Sequence, residues 1–295
     1  MLDLKADRAP QPPKPAATLL LLRDGEQGPE IFCVERNKAS RFLGGALVFP
    51  GGKVDPQDDD AAFLTLSRGL PGSRDGFADG DVHLRALAVA ALRESLEEAA
   101  ILPVAEGRAT HAVLLALRAE LPAISFADML ARERLVMDLA ALRPFARWVT
   151  PEAEARRYDT RFFICRAPEG QLGAHDDGET TASFWATPRG VLGRFERDEV
   201  KLAPPTHRCL ELLCDAKDVE AALAASDGAD LRPICPLLVT QTDDDGTSTM
   251  ALVLPGDPEH SLAEARVPGL SRYVLRGGKF VPEAARRADR VSSPT

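Results

Sequence analysis

No apolar run in this sequence approaches the length of a transmembrane helix, which excludes a helical membrane span. The N-terminus lacks the apolar core of a signal peptide, and the terminal Ser-Ser-Pro-Thr is not a peroxisomal address, so a cytoplasmic location is expected. Cysteine is sparse. Cys33, Cys165, Cys209, Cys214 and Cys235 are odd in number and form no Cys-x-x-Cys pair. That argues against a disulfide framework or a zinc site, and for buried free thiols in a reducing compartment. Excess positive charge is missing too: 36 Lys and Arg face 45 Asp and Glu, a formal net charge of −9. That argues against a polyanion such as DNA or a lipid surface as the main partner, whereas a small anionic substrate can still be held by a local cluster of Lys, Arg and metal. No Gly-, Ser- or Pro-rich linker divides the 295 residues and no repeat is visible. With 45% apolar residues the chain can bury a sizeable core. The expectation is a loose tail over 1–15 and one domain over 16–290.

What is present is organised around residues 49–101. The second half, Arg93-Glu94-Ser95-Leu96-Glu97-Glu98-Ala99-Ala100-Ile101, reads as the end of a helix from about Val82 to Ala100, before Pro103. Glu94, Glu97 and Glu98 stand at i, i+3 and i+4, so three carboxylates share one face. They repel one another, and they sit at the negative end of the helix dipole. An arrangement that costs stability twice suggests a site, and hard oxygen ligands favour Mg²⁺ or Mn²⁺. The first half, Phe49-Pro50-Gly51-Gly52-Lys53-Val54-Asp55, reads as a strand end and a glycine turn whose backbone could approach a ligand closely.

With Phe-Pro-Gly-Gly upstream of Arg-Glu-x-x-Glu-Glu, the sequence resembles the Nudix hydrolases. Asp58 takes the place of the first Glu of that family's signature, Ser95 replaces an apolar residue, and Ala100 replaces the final Gly. Residues 59 to 92, 34 in all, stand where the usual box has seven. A box split in this way looks like the branch that contains the peroxisomal coenzyme A diphosphatases. The run Arg147 to Pro151, Tyr158 to Phe163 and Glu179 to Pro188 looks like that branch as well, so the resemblance covers roughly residues 16 to 215.

In chain order, Ala16 to Arg23 reads as a buried strand with Glu30 to Arg36 as its hairpin partner. Arg36, Lys38 and Arg41 are either solvated loop charge or, for Arg36, a contact to a substrate phosphate. The insertion, 59–82, carries Pro71-Gly72, Asp75-Gly76 and Asp79-Gly80 as turn signals, with a helical turn over Ala61 to Ser67. It is expected to emerge beside the site and to govern substrate choice. Residues 105 to 140 read as helical packing surface. Strands follow at Arg147, Tyr158 and Ser183, and helices at Pro188 to Phe195 and Pro205 to Leu213. Pro236 to Thr242 and Thr247 to Leu254 read as a hairpin, with one more strand from Tyr273 to Phe280. Pro255 to His260 reads as a loop, not a metal cluster.

The resemblance implies an α/β fold, a mixed sheet between helices, with the box insertion and a C-terminal extension over 216–290. It implies metal-assisted hydrolysis of a diphosphate in a nucleoside-diphosphate-X substrate, coenzyme A or acyl-coenzyme A by the split box. Glu94, Glu97 and Glu98 would hold Mg²⁺ or Mn²⁺, with the Gly51 carbonyl and Glu179 as further ligands and Asp176 and Asp177 as rivals of Glu179. Arg93 would orient the acids, and Arg36, Gly52 and Lys53 would meet the substrate. Two alternatives stay open: a hydrolase of ADP-ribose, NADH or a related dinucleotide, and a non-catalytic nucleotide-binding module, for which Ser95 and Ala100 leave room. The oligomeric state, a homodimer included, stays open. The residue that ends the acidic helix is expected to be Ile101 or Leu102, with Ala100 still helical.

Overall fold

The apolar run Ala16 to Arg23 becomes the middle of β1 (Lys14–Gly25), and it is apolar without alternation because both its faces are covered. Ala17, Leu19 and Leu21 face one core, and Leu20 and Leu22 face the other. The computed structural model describes residues 4–5, 9–37, 44–72, 75–121, 123–176, 178 and 180–285. β1 turns into β2 (Gly28–Arg36), followed by β3 (Ala46–Val48) and β4 (Gly51–Lys53). A short 3₁₀ turn, Pro56–Asp59, leads into the insertion, which supplies a second, Ala61–Leu64, and β5 (Ser67–Arg68). The long acidic helix is α1 (Asp81–Ala99). β6 (Val104–Glu106), α2 (His111–Glu120), α3 (Phe126–Glu133) and β7 (Val136–Asp138) then pack behind it. The chain returns through β8 (Arg143–Val149), β9 (Tyr158–Arg166), β10 (Thr180–Ala186), α4 (Pro188–Glu196), β11 (Lys201–Leu202), α5 (Pro204–Leu213) and α6 (Val219–Ala224). It ends in β12 (Leu237–Thr242), β13 (Ser248–Val253), β14 (Arg272–Arg276) and β15 (Lys279–Glu283).

The main sheet is mixed and runs β11-β3-β2-β1-β9-β8, with β4 on β1 and β10 on β2. β1 and β9 are parallel, from Lys14 opposite Tyr158 to Leu22 opposite Arg166. The α1 side is one apolar core, and the opposite face, under α5 and the C-terminal segment, is a second. The C-terminal hairpin forms as expected, Leu237 opposite Val253 and Thr242 opposite Ser248. Tyr273 to Phe280 is two strands, not one, because Gly277 and Gly278, both at positive φ, turn the chain inside it. In the loop between the two hairpins, Asp257 pairs with Arg272, both buried, at 2.7 Å.

The insertion behaves differently from the sequence expectation. Phe63 and Phe77 are buried in the α1 core, Phe63 against Phe126 and Phe77 edge-on to Phe163 at 5.2 Å between ring centres. The Arg161 guanidinium donates to Phe77 O at 2.8 Å. The segment is thus a core element, and turn-rich sequence alone concealed the two phenylalanines that anchor it.

Candidate active site

α1 positions the acidic residues. Leu84, Leu87, Ala88, Ala91 and Leu92 bury it in the core, so its last two turns bring Glu94, Glu97 and Glu98 to the edge of β4. Arg93, on the same turn, is the hub. Its Nε donates to Asp58 Oδ1 at 2.8 Å and its Nη2 to Asp58 Oδ2 at 3.0 Å. Nη1 donates to Glu94 Oε1 at 2.8 Å and to Glu97 Oε2 at 3.1 Å, and Nη2 also reaches Lys53 O at 3.0 Å. One guanidinium therefore ties Asp58, just before the insertion, β4 and two carboxylates together, mostly through charge-assisted bonds. Burial works against its charge, but the Asp58 hydrogen bonds and the charges of Glu94, Asp58 and Glu97 outweigh it and hold the guanidinium firmly protonated. The Glu97 pKa is raised as well, but by burial, which the charge and hydrogen bond of Arg93 only partly offset.

Glu98 is 4% exposed, and its Oε2 accepts from Gly51 N–H at 3.1 Å. Arg36 Nη1 stands 3.9 Å from Glu98 Oε1. The glycines do not make a turn here. Neither Gly51 nor Gly52 has positive φ, and both lie in extended β4 against β1. They are glycines for want of room. A Cβ on Gly52 would meet the Glu94 carboxylate at 2.3 Å, and one on Gly51 would meet Ala17 O at 2.6 Å.

Most of these groups, though neither Glu98 nor Asp58, line a cavity of about 690 Å³. Arg36, Gly51, Gly52, Lys53, Arg93, Glu94 and Glu97 all contribute to it, so the structure brings together most of the residues singled out from the sequence. Glu179, Asp177, Lys38 and Arg41 lie outside the described residues. Asp176 is engaged in the loop before β10, accepting from Thr180 N–H at 2.8 Å. No described residue from 56 to 92 lines the cavity, which overturns the expectation that the insertion borders it. Sequence reading missed Thr18, Asp55, Trp148, Tyr158, Pro204 and Leu252 on the cavity wall. Thr18, Trp148 and Tyr158 reach the wall by pairing within the main sheet, and Leu252 reaches it from the separate C-terminal sheet.

The donor set fits a hard cation: carboxylates from one helix face beside the β4 backbone, in a cavity with cationic neighbours. Among the described residues no three acidic side chains are drawn together closely enough to enclose one in this conformation, since Glu94 and Glu97 share Arg93 Nη1.

The α1 helix ends at Ala100, which takes the left-handed conformation with φ 51 and ψ 40. This corrects the expectation that the helix runs on through Ala100. Its N–H returns to Leu96 O at 3.0 Å, and Ser95 Oγ donates to Ile101 O at 2.8 Å. The cap is therefore the usual glycine cap, made with alanine.

A family model described as the NUDT19 Nudix domain matches residues 75–212. A crystal structure of a NUDIX hydrolase from Alicyclobacillus acidocaldarius superposes with a TM-score of 0.63 at 32% identity, covering 72% of this chain and 96% of that one. The chain belongs to the Nudix hydrolase family. Among curated Nudix relatives, it is 32% identical over 237 residues to the acyl-coenzyme A diphosphatase NUDT19 of Gallus gallus, covering 63% of this chain and 61% of that protein. It is 28% identical over 220 residues to the human protein of the same name, covering 61% and 59%. The chain thus spans about three fifths of the length of these relatives. Against the Nudix signature, Asp58 keeps the charge that anchors Arg93, and Ser95 keeps a buried place because its hydroxyl is satisfied.

Proposed function

We propose that this Nudix chain hydrolyses the diphosphate linkage of coenzyme A or an acyl-coenzyme A. The observation that carries the reading is Arg93 holding Glu94 and Glu97 on the cavity wall while Asp58 holds Arg93. The names of the curated relatives support the substrate class. Glu94, Glu97 and Glu98, with the Gly51 carbonyl and Glu179, are the proposed ligands of Mg²⁺ or Mn²⁺. Such an ion, when bound, neutralises diphosphate charge and makes water a better nucleophile. The chain's own residues do the rest. Arg36 and Lys53 face the substrate phosphates, the Gly52 backbone lets the diphosphate lie close to β4, and a carboxylate of α1 takes the proton of the attacking water. That water adds to one phosphorus, the bridging P–O bond breaks, and two phosphate monoesters leave. The five cysteines are free thiols, which supports a reducing compartment such as the cytoplasm.

The test is release of phosphate monoesters from coenzyme A, acyl-coenzyme A, ADP-ribose, NADH and nucleotide sugars, each with Mg²⁺ or Mn²⁺. The coenzyme A compounds should be the best substrates and chelator should abolish turnover. Preference for ADP-ribose or NADH would replace this reading with a dinucleotide hydrolase, and no turnover of any compound would leave a binding module.

A further inference from the structure

The cavity is chemically divided, and the strand register shows how. Lys53 of β4 stands opposite Ala16 of β1, Ala16 opposite Thr160 of β9, and Thr160 opposite Trp148 of β8. These four in-register residues share one sheet face, and all four line the cavity. Three strand spacings separate the ends of the row, about 14 Å from the acidic end to Trp148. Beyond Trp148 the chain continues the floor. Trp148 bridges Ile234, and Val149 N–H donates to Ile234 O at 2.9 Å, which sets Pro236 beside the edge of β8.

The far wall carries Trp148, Pro151, Pro204, Pro205, Pro236 and Leu252, with Thr150, Arg156 and Thr206 as its polar neighbours. Trp148 and Leu252 are 3% and 1% exposed and belong to the core under this face, so the wall is held in place by packing. Pro236 and Leu252 come from the C-terminal segment, past residue 212 where the Nudix family model stops. That segment therefore completes the cavity.

We propose that this wall, finished by Pro236 and Leu252, binds the apolar acyl group of the substrate and sets the preference for acylated over unacylated coenzyme A. The inference rests on the diphosphatase reading above. With the diphosphate at Arg36 and Lys53, the flexible arm crosses the sheet face and the acyl chain lies on Trp148, the two α5 prolines and Leu252. Apolar area buried there adds affinity for the tail in proportion to its length.

Calorimetric titration of coenzyme A and octanoyl-coenzyme A into the full chain, with EDTA present to prevent turnover, tests this. The native chain should bind the octanoyl ester at least about tenfold more tightly than coenzyme A. Pro205→Asp puts a charge on the wall at the second position of α5, where the helix dipole tolerates an acid, and the affinity ratio should fall to about one. Leu252→Ala should lower the ratio about threefold or more. If the Leu252 variant does not fold, as a melt would show, Pro205→Asp decides. A native ratio near one, or an unchanged ratio in Pro205→Asp, overturns the inference. The same two compounds assayed with Mg²⁺ separate the failures: hydrolysis of both at equal kcat/KM removes the acyl wall and keeps the diphosphatase, whereas no hydrolysis of either removes the diphosphatase while the binding ratio still judges the wall.

Discussion

Arg93 closes a two-pronged ion pair on Asp58 across 35 residues of sequence, at 2.8 and 3.0 Å, with both groups buried. The pair bridges the insertion, and it holds the guanidinium that carries Glu94 and Glu97. Removing one charge from a buried pair leaves the other uncompensated. Asp58→Asn should therefore cost about 2–3 kcal/mol of stability in a denaturant melt, and lower kcat as Arg93 loosens. Asp58→Glu, the residue of the family signature, should retain more of both. An Asn variant as stable and active as the native chain would mean that Arg93 is positioned by the glutamates alone.

Glu97→Gln and Glu98→Gln address the acidic face. Each should lower kcat by about 10²–10³, because each weakens stabilisation of charge developing at phosphorus. Stability should hold, since repulsion along α1 falls with either change. Near-native turnover by either variant in metal-buffered assays would remove these carboxylates from the reaction.

The two glycines should part company. On Gly52 the added methyl meets the mobile end of Glu94, so Gly52→Ala should fold with a melting point close to native, yet bind Mn²⁺ more weakly. On Gly51 it meets backbone of β1, which cannot yield, so Gly51→Ala should lose several kcal/mol or fail to fold. Equal melting points for the two variants would show that β4 lies differently against β1.

Ala100→Gly should stabilise the chain. The left-handed conformation strains alanine by about 1–2 kcal/mol. Against that, the buried methyl contributes about 0.8 kcal/mol of apolar burial. The balance favours glycine by up to about 1 kcal/mol. A thermal melt reads it, and a clear drop in stability would show that packing of the methyl outweighs the strain.

The C-terminal sheet should carry an acid-sensitive pair. Burial raises the pKa of Asp257, but hydrogen bonds from Arg272, Glu259 N–H and Ser271 outweigh it and leave the carboxyl below its ordinary range. A depressed folded value means the contribution is complete above the unfolded pKa of 3.8 and is lost as pH falls through the lower folded value. Asp257→Asn should be less stable at neutral pH by about 3–5 kcal/mol, and should lose part of the acid dependence of melting below pH 4. A native and a variant curve that stay parallel down to pH 2 would show that the pair titrates with no net effect.

Sequence alone determined the main strands and α1, because their patterns are local: a continuous apolar run for a doubly covered strand, and a helical face interrupted by three acids. It also determined that Glu94, Glu97 and Glu98 stand close together on the helix, because their spacing places them so by helix geometry whatever the rest of the chain does. The tertiary structure decided everything that depends on approach between distant segments. Gly51 and Gly52 look the same in a turn or a crowded strand, and only the packing of β4 on β1 and α1 distinguishes the two. Ala100 is the best helix former, yet the chain must turn at that point to bury Ile101 and Leu102, so core packing overrides propensity. Phe63 and Phe77 sit among turn signals, and their burial depends on α3 and β9 lying opposite. The cavity's far wall is the extreme case: Trp148, Pro205 and Leu252 meet through strand register and layer packing, which join residues from 47 to 104 positions apart and leave no local pattern to read.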